Sequence, residues 1–126
     1  MIVLDASAIL AVAHKEPGAA KVLAKQSELM VISSVNYAEA LQKVVQHGGM
    51  AEDVLRILRL LDVDIVDFTR LGAWVAAELW RKGHGLSLGD RACLALTRET
   101  DGVAYTTDRA WKAVGEQFGI SVRLLR

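Results

Sequence analysis

Four carboxylates carry the chemistry that this sequence could do: Asp5, Glu39, Asp90 and Asp108. Asp5 ends the apolar run Ile2-Val3-Leu4, and Asp108 follows the run from Val103 to Thr106. Each acid also has a plain structural role. Asp5 or Ser7 can cap the helix that follows, and Asp108 stands between a strand and a helix, where N-caps sit. Asp90 lies three residues after Ser87 in the order Ser-Leu-Gly-Asp, close to a capping box, though Glu or Gln is the usual partner. Glu39 falls opposite the stripe of Tyr37, Leu41 and Val45, so periodicity places it on a solvated surface. Together they say more. Carboxylates that converge without bases repel one another. A fold tolerates this where a hard divalent cation binds, and oxygen-only ligation suits Mg²⁺ or Mn²⁺.

The elements must bring them together. No charge precedes Asp5, so the strand from Ile2 to Leu4 is expected to be covered on both faces, in the middle of a parallel sheet. An acid at the carboxyl end of such a strand points into the crevice where open α/β sheets bind ligands. Glu16-Pro17-Gly18 breaks the first helix near His14, and Pro17 opens a second that runs to about Gln26. Leu29 to Ile32 reads as a strand. Ser33-Ser34 caps a helix to about Gln46, with Tyr37, Ala38, Leu41, Val44 and Val45 on one face. His47-Gly48-Gly49 ends it. Met50 to Leu61 is a helix whose apolar residues cover more than one stripe. Asp64 to Phe68 is a strand, and Thr69 caps a helix to Lys82 with Leu71, Trp74, Val75 and Leu79 facing inward. After the loop Gly83-His84-Gly85, Ser87 starts a helix to about Glu99. Val103 to Thr106, Arg109 to Phe118 and Ile120 to Leu125 complete the chain as strand, helix and strand. Strands separated by helices predict an α/β fold: a parallel sheet of about five strands, helices on both faces, right-handed crossovers.

The 126 residues suit one domain, 1–126, with a real core. Hydrophobic residues make up 52%, and mean hydropathy is +0.27, so some apolar surface is expected to meet a partner. No apolar run approaches the roughly 20 residues of a membrane span. The first strand begins at residue 2, with no signal sequence before it, and the one cysteine, Cys93, has no partner for a disulfide. These features predict a cytoplasmic protein. Fifteen basic residues balance fifteen acidic ones, so any role with nucleic acid rests on a local patch.

Met1-Ile2-Val3-Leu4-Asp5-Ala6-Ser7-Ala8, Ser34-Val35-Asn36-Tyr37-Ala38-Glu39, Leu86-Ser87-Leu88-Gly89-Asp90-Arg91-Ala92 and Thr106-Thr107-Asp108-Arg109-Ala110-Trp111 resemble, in order and spacing, the four motifs of PIN-domain ribonucleases. The likeness is greatest to the VapC-like toxins of bacterial toxin–antitoxin pairs. Each motif is weak alone; the ordered set is specific. The resemblance implies a PIN-like three-layer sandwich and a Mg²⁺-dependent endoribonuclease site of Asp5, Glu39, Asp90 and Asp108. It implies hydrolysis of RNA to a 5′-phosphate and a 3′-hydroxyl, an antitoxin partner, and a homodimer. Ser7 and Thr107 are similar to the hydroxyl residues that support the acids. Ala110 stands where many relatives carry a further acid, which bears on a second metal.

Around the acids, Arg91 and Arg109 each lie one residue beyond a site acid and are the best candidates to hold RNA phosphates. The histidines lack zinc-ligand spacing, and Cys93 reads as a buried structural thiol. Trp74, Trp80 and Trp111 read as core or interface anchors. Ile57 and Leu60 fall outside the 54, 55, 58, 61 stripe, which predicts an antitoxin groove between that helix and the one from Val35 to Gln46. Two alternatives are a non-catalytic PIN-like interaction module and a receiver-type phosphoacceptor. The receiver is disfavoured because Asp5 has no acidic neighbour and Ile120 to Leu125 holds no lysine.

Overall fold

In the computed structural model, which describes residues 1–126, Ile2, Val3 and Leu4 are all buried because strand β1 (Ile2–Leu4) is the middle of a sheet. Its neighbours are β2 (Met30–Ser33) and β4 (Val103–Thr106), with β3 (Val63–Val66) and β5 (Ser121–Leu124) at the edges. The order is β3-β2-β1-β4-β5, and every pairing is parallel. Receiver domains run 2-1-3-4-5, so this order removes the receiver alternative.

Alternation along β1 feeds two cores. Ile2 and Leu4 join one core under α1 (Ala6–Ala13), α2 (Ala19–Leu23), α3 (Ser34–Gln46) and α4 (Ala51–Leu60). Val3 joins the other, under α5 (Arg70–Glu78), α6 (Leu88–Thr100) and α7 (Ala110–Phe118), where Trp111 is fully buried. This is the predicted sheet covered on both faces. No helix is long and apolar enough to cross a membrane.

Several local expectations are corrected. The second helix begins at Ala19, not Pro17, and gives way to turns after Leu23. β2 starts at Met30, leaving Leu29 exposed. β3 runs from Val63 to Val66 rather than from Asp64 to Phe68; beyond it the Phe68 N–H donates to Ser34 Oγ at 3.0 Å instead of to a strand. α5 stops at Glu78, and Arg81 closes its end by donating to the Glu78 and Trp80 carbonyls. Its inward residues are Gly72, Ala76 and Leu79, with Val75 half-buried against the core as expected, while Leu71 and Trp74 are exposed at 64% and 71%. Small residues let α5 lie close on its neighbours: a Cβ at Gly72 would stand 3.3 Å from Glu99 Oε1 and 3.4 Å from the Phe68 ring. On α3 the buried positions are Asn36, Ala40 and Val44, with Ala38 and exposed Val45 turned outward. On α4, Val54 and Leu58 point inward, Ile57 is half-buried against the same core, and Leu60 is exposed.

Candidate functional site

The strand order reverses between β1 and β4, since β2 and β3 lie to one side and β5 to the other. Open α/β sheets bind ligands at the carboxyl ends of strands beside such a reversal. Asp5 follows β1 there as the N-cap of α1. Its Oδ1 accepts the Ala8 N–H at 2.9 Å and the Ser7 hydroxyl at 2.6 Å; its Oδ2 accepts the Thr106 hydroxyl at 2.8 Å. The parallel register pairs Leu4 with Tyr105, which sets Thr106 beside Asp5. The supporting hydroxyl from β4 is therefore that of Thr106. Thr107, the residue expected in that role from the sequence, contributes its main-chain N–H to Ser7 Oγ at 3.0 Å.

Asp5 is 7% exposed, and burial raises its carboxyl from 3.8 to about 6. The bonds from Ser7, Thr106 and Ala8 oppose that rise, and the charge of Asp90 adds to it. No cation answers it. The ion pairs of the molecule are Lys25–Glu28, Arg56–Asp53 and Arg126–Glu16, none at the site.

Asp90 opens α6 and forms the capping box read from its spacing: its N–H donates to Ser87 Oγ at 3.0 Å, and its Oδ2 accepts the Ser87 N–H at 2.9 Å. Glu39 departs from the sequence expectation. It is half-buried, not a solvated surface residue, and lies across the first turn of α6. Its Oε1 accepts from Asn36 Nδ2 at 2.8 Å, and the same Nδ2 donates to the Gly89 carbonyl at 3.0 Å. Sequence reasoning misses Asn36. The signal present there is a polar residue on the buried face, three positions before Glu39. Cys93, one turn into α6, records the gathering of charge. Its thiol is held well above the ordinary range, first by burial, then by the charges of Asp5, Asp90 and Glu39.

Asp108 stands apart. It is exposed, and its Oδ1 accepts the Ala110 N–H at 3.0 Å, capping α7. Its main chain still reaches the site, donating to Thr106 Oγ1 at 3.0 Å. As the side chains stand, no three acids close around a common point. The capping bonds are the physical reason: Asp90 and Asp108 each spend one oxygen on their own helix, leaving one free.

The two arginines separate. Arg91 is half-buried and donates to the Ala76 carbonyl of α5 at 2.9 Å, with Nε buried and unpartnered, so its guanidinium is engaged within the fold. Arg109 is exposed beside Asp108 and makes no side-chain bond across the molecule. A cleft of about 220 Å³ adjoins the site, where Ser7 and Thr107 meet His14, His47 and Arg126. Its two imidazoles face each other edge-on, 6.2 Å between centroids.

The sequence matches the family model of the PIN domain over residues 2–117. The chain belongs to the PIN domain family. The PIN fold seen here is shared with VapBC2 from Rickettsia felis, solved on a DNA fragment from its promoter, at 19% identity and a TM-score of 0.74, covering 98% of each chain. VapC20 from Mycobacterium tuberculosis, a sarcin-ricin loop cleaving toxin, aligns at 19% identity and a TM-score of 0.75, over 91% of this chain and 95% of its own. DNA-bound VapBC from Salmonella typhimurium aligns at 17% identity and a TM-score of 0.74, over 99% and 98%. No curated protein sequence matches this PIN domain.

Proposed function

We propose that this PIN domain is a Mg²⁺-dependent endoribonuclease and the toxin of a VapBC-like toxin–antitoxin pair. The observation that carries the reading is Asp5: a buried carboxylate at the carboxyl end of β1, raised to about 6 by burial and by the charge of Asp90, with no cation paired to it. In a PIN domain, that arrangement favours catalysis over a purely interacting module, in which the acids would serve only as caps.

The donor set is oxygen-only, which fits Mg²⁺, with Mn²⁺ as substitute. Asp5 and Asp90 would hold the ion, with Glu39, while Asp108 would join by releasing the Ala110 N–H. When bound, the ion supplies charge against a phosphoryl oxygen and acidifies a water. Ser7 and Thr106 fix the Asp5 carboxylate by donating to both of its oxygens. Glu39 has Oε2 free of hydrogen bonds and takes the proton of the attacking water. The water oxygen bonds to phosphorus, the bond from phosphorus to O3′ breaks, and O3′ takes up a proton. The products are a 5′-phosphate and a 3′-hydroxyl. Arg109, exposed next to Asp108 in the chain, gives the RNA backbone a positive contact, and the cleft where Ser7 and Thr107 meet His14 and His47 gives it room beside Asp5.

The partners follow from the surface and from the VapBC relatives. Leu60, Met50 and Val45 are exposed along α3 and α4 and form the antitoxin face, whereas Ile57 is engaged in the core. Leu71, Trp74, Trp80 and Leu88 are exposed on the α5–α6 side and suit a second copy of the chain.

Incubation of the purified protein with cellular RNA tests the reading. Cleavage should need Mg²⁺ or Mn²⁺, stop in EDTA, and disappear in Asp5→Asn and Asp90→Asn while the fold survives. Full cleavage by both variants, or no cleavage by the wild type in complex-free form, would return the site to a binding role.

A further inference from the structure

We infer that Asn36 is a positioning residue for Glu39, acting together with the missing side chain of Gly89. The inference rests on the catalytic reading above and adds two residues to its machinery. Asn36 is 1% exposed on the inward face of α3, where an apolar residue would serve stability better. Its amide orientation is fixed by its surroundings: a carboxylate and a carbonyl can only accept, so the NH₂ must face both. One donation holds Glu39 Oε1 at 2.8 Å, and the other reaches the Gly89 carbonyl at 3.0 Å in the first turn of α6, next to Asp90. The same amide thus ties the Glu39 carboxylate to the helix that carries Asp90.

Gly89 completes the seat. A Cβ there would stand 2.6 Å from both carboxylate oxygens of Glu39 and 2.7 Å from its Cδ. The carboxylate occupies the space that any other residue would fill. The arrangement also has a cost. Asn36 Oδ1 is buried with no donor, and an unmade bond of this kind destabilises the fold. A residue serving only to hold α3 against α6 has no reason to keep that cost, since an aliphatic side chain would remove it.

The test compares Asn36→Leu and Gly89→Ala, which disturb the same carboxylate from two helices. Mn²⁺ affinity, read by electron paramagnetic resonance on the otherwise metal-free protein, should fall about tenfold in each, the usual range for loss of a residue that orients a ligand. kcat on RNA should fall with KM unchanged, and both variants should melt cooperatively. In a Glu39→Gln background neither substitution should weaken Mn²⁺ binding further. Gly89→Ala leaves the Asn36 amide in place, so it decides the matter even where Asn36→Leu fails to fold. Wild-type Mn²⁺ affinity in folded Gly89→Ala, or a full additional loss on top of Glu39→Gln, would overturn the inference. A wild type that binds Mn²⁺ but cuts no RNA would defeat the catalytic reading alone, since the Mn²⁺ titrations do not depend on it.

Discussion

Glu39 and Asp108 both lie beyond the carboxyl ends of strands, β2 and β4, but their carboxylates are held in opposite ways. Glu39 is fixed by contacts across the fold: Asn36 bonds it, and the backbone of Gly89 on α6 makes room for it. Asp108 is fixed by its own helix, through the Ala110 N–H. The first arrangement exists only when α3 and α6 are packed. The second would persist in α7 alone. A carboxylate seated by tertiary contacts is ready before substrate arrives, while one engaged as a cap must give up a bond to take part. Preorganisation of this kind is what catalytic geometry rewards.

Substitution at the two acids is the strongest way to break that comparison. Glu39→Gln should lower kcat by about 10²–10⁴-fold, the usual worth of a positioned general base. Asp108→Asn should cost only about tenfold, and the fold should hold, because Asn caps a helix as well as Asp does. Equal losses in single-turnover cleavage would show that Asp108 serves the chemistry as fully as Glu39 does.

A smaller effect sharpens the account of Asp5. Its carboxyl is raised from 3.8 to about 6, so the metal-free fold binds its proton more tightly than the unfolded chain does. The stabilising contribution is therefore full below about pH 4 and lost as pH rises through 6, a change of about 3 kcal/mol. Urea unfolding in EDTA should show the wild type gaining on Asp5→Asn by about that much between pH 7 and pH 4. A difference that is flat with pH would mean that the buried carboxylate is neutralised in some other way.

The smallest expected effect separates the two arginines. Arg109→Ala should weaken RNA binding a few-fold and reduce the salt slope by about 1, as for one lost phosphate contact. Arg91→Ala should leave RNA binding alone and lower the melting temperature, since its guanidinium serves the Ala76 carbonyl. The reverse pattern in fluorescence anisotropy would place Arg91 in the crevice instead.

These contrasts also show what the sequence could tell. The central strand is legible because three apolar residues without a charge precede Asp5, and strand and helix order follows from punctuation by Ser33, Gly48-Gly49, Thr69 and Ser87. The cap at Asp90 is legible because a capping box is local. Glu39 is misplaced because periodicity treats Asn36 as surface, and only the packed α6 reveals why a polar residue faces inward. Leu71 and Trp74 are misplaced for a related reason. A helix reading favours large apolar residues inside, but α5 packs through Gly72 and Ala76. Thr106 and Thr107 cannot be told apart until the register of β1 against β4 is known.

The bond between Thr106 and Asp5 joins residues 101 positions apart. During synthesis β1 is made before both of its flanking strands, and β4 comes last of the two. At ordinary elongation rates that interval is about 5–20 s. Through all of it Asp5 has no Thr106 to bond, and β1 has at least one open edge. The order of synthesis thus separates the two halves of the seat: Asp5 waits for about a hundred residues to follow it before the hydroxyl that fixes its second oxygen exists.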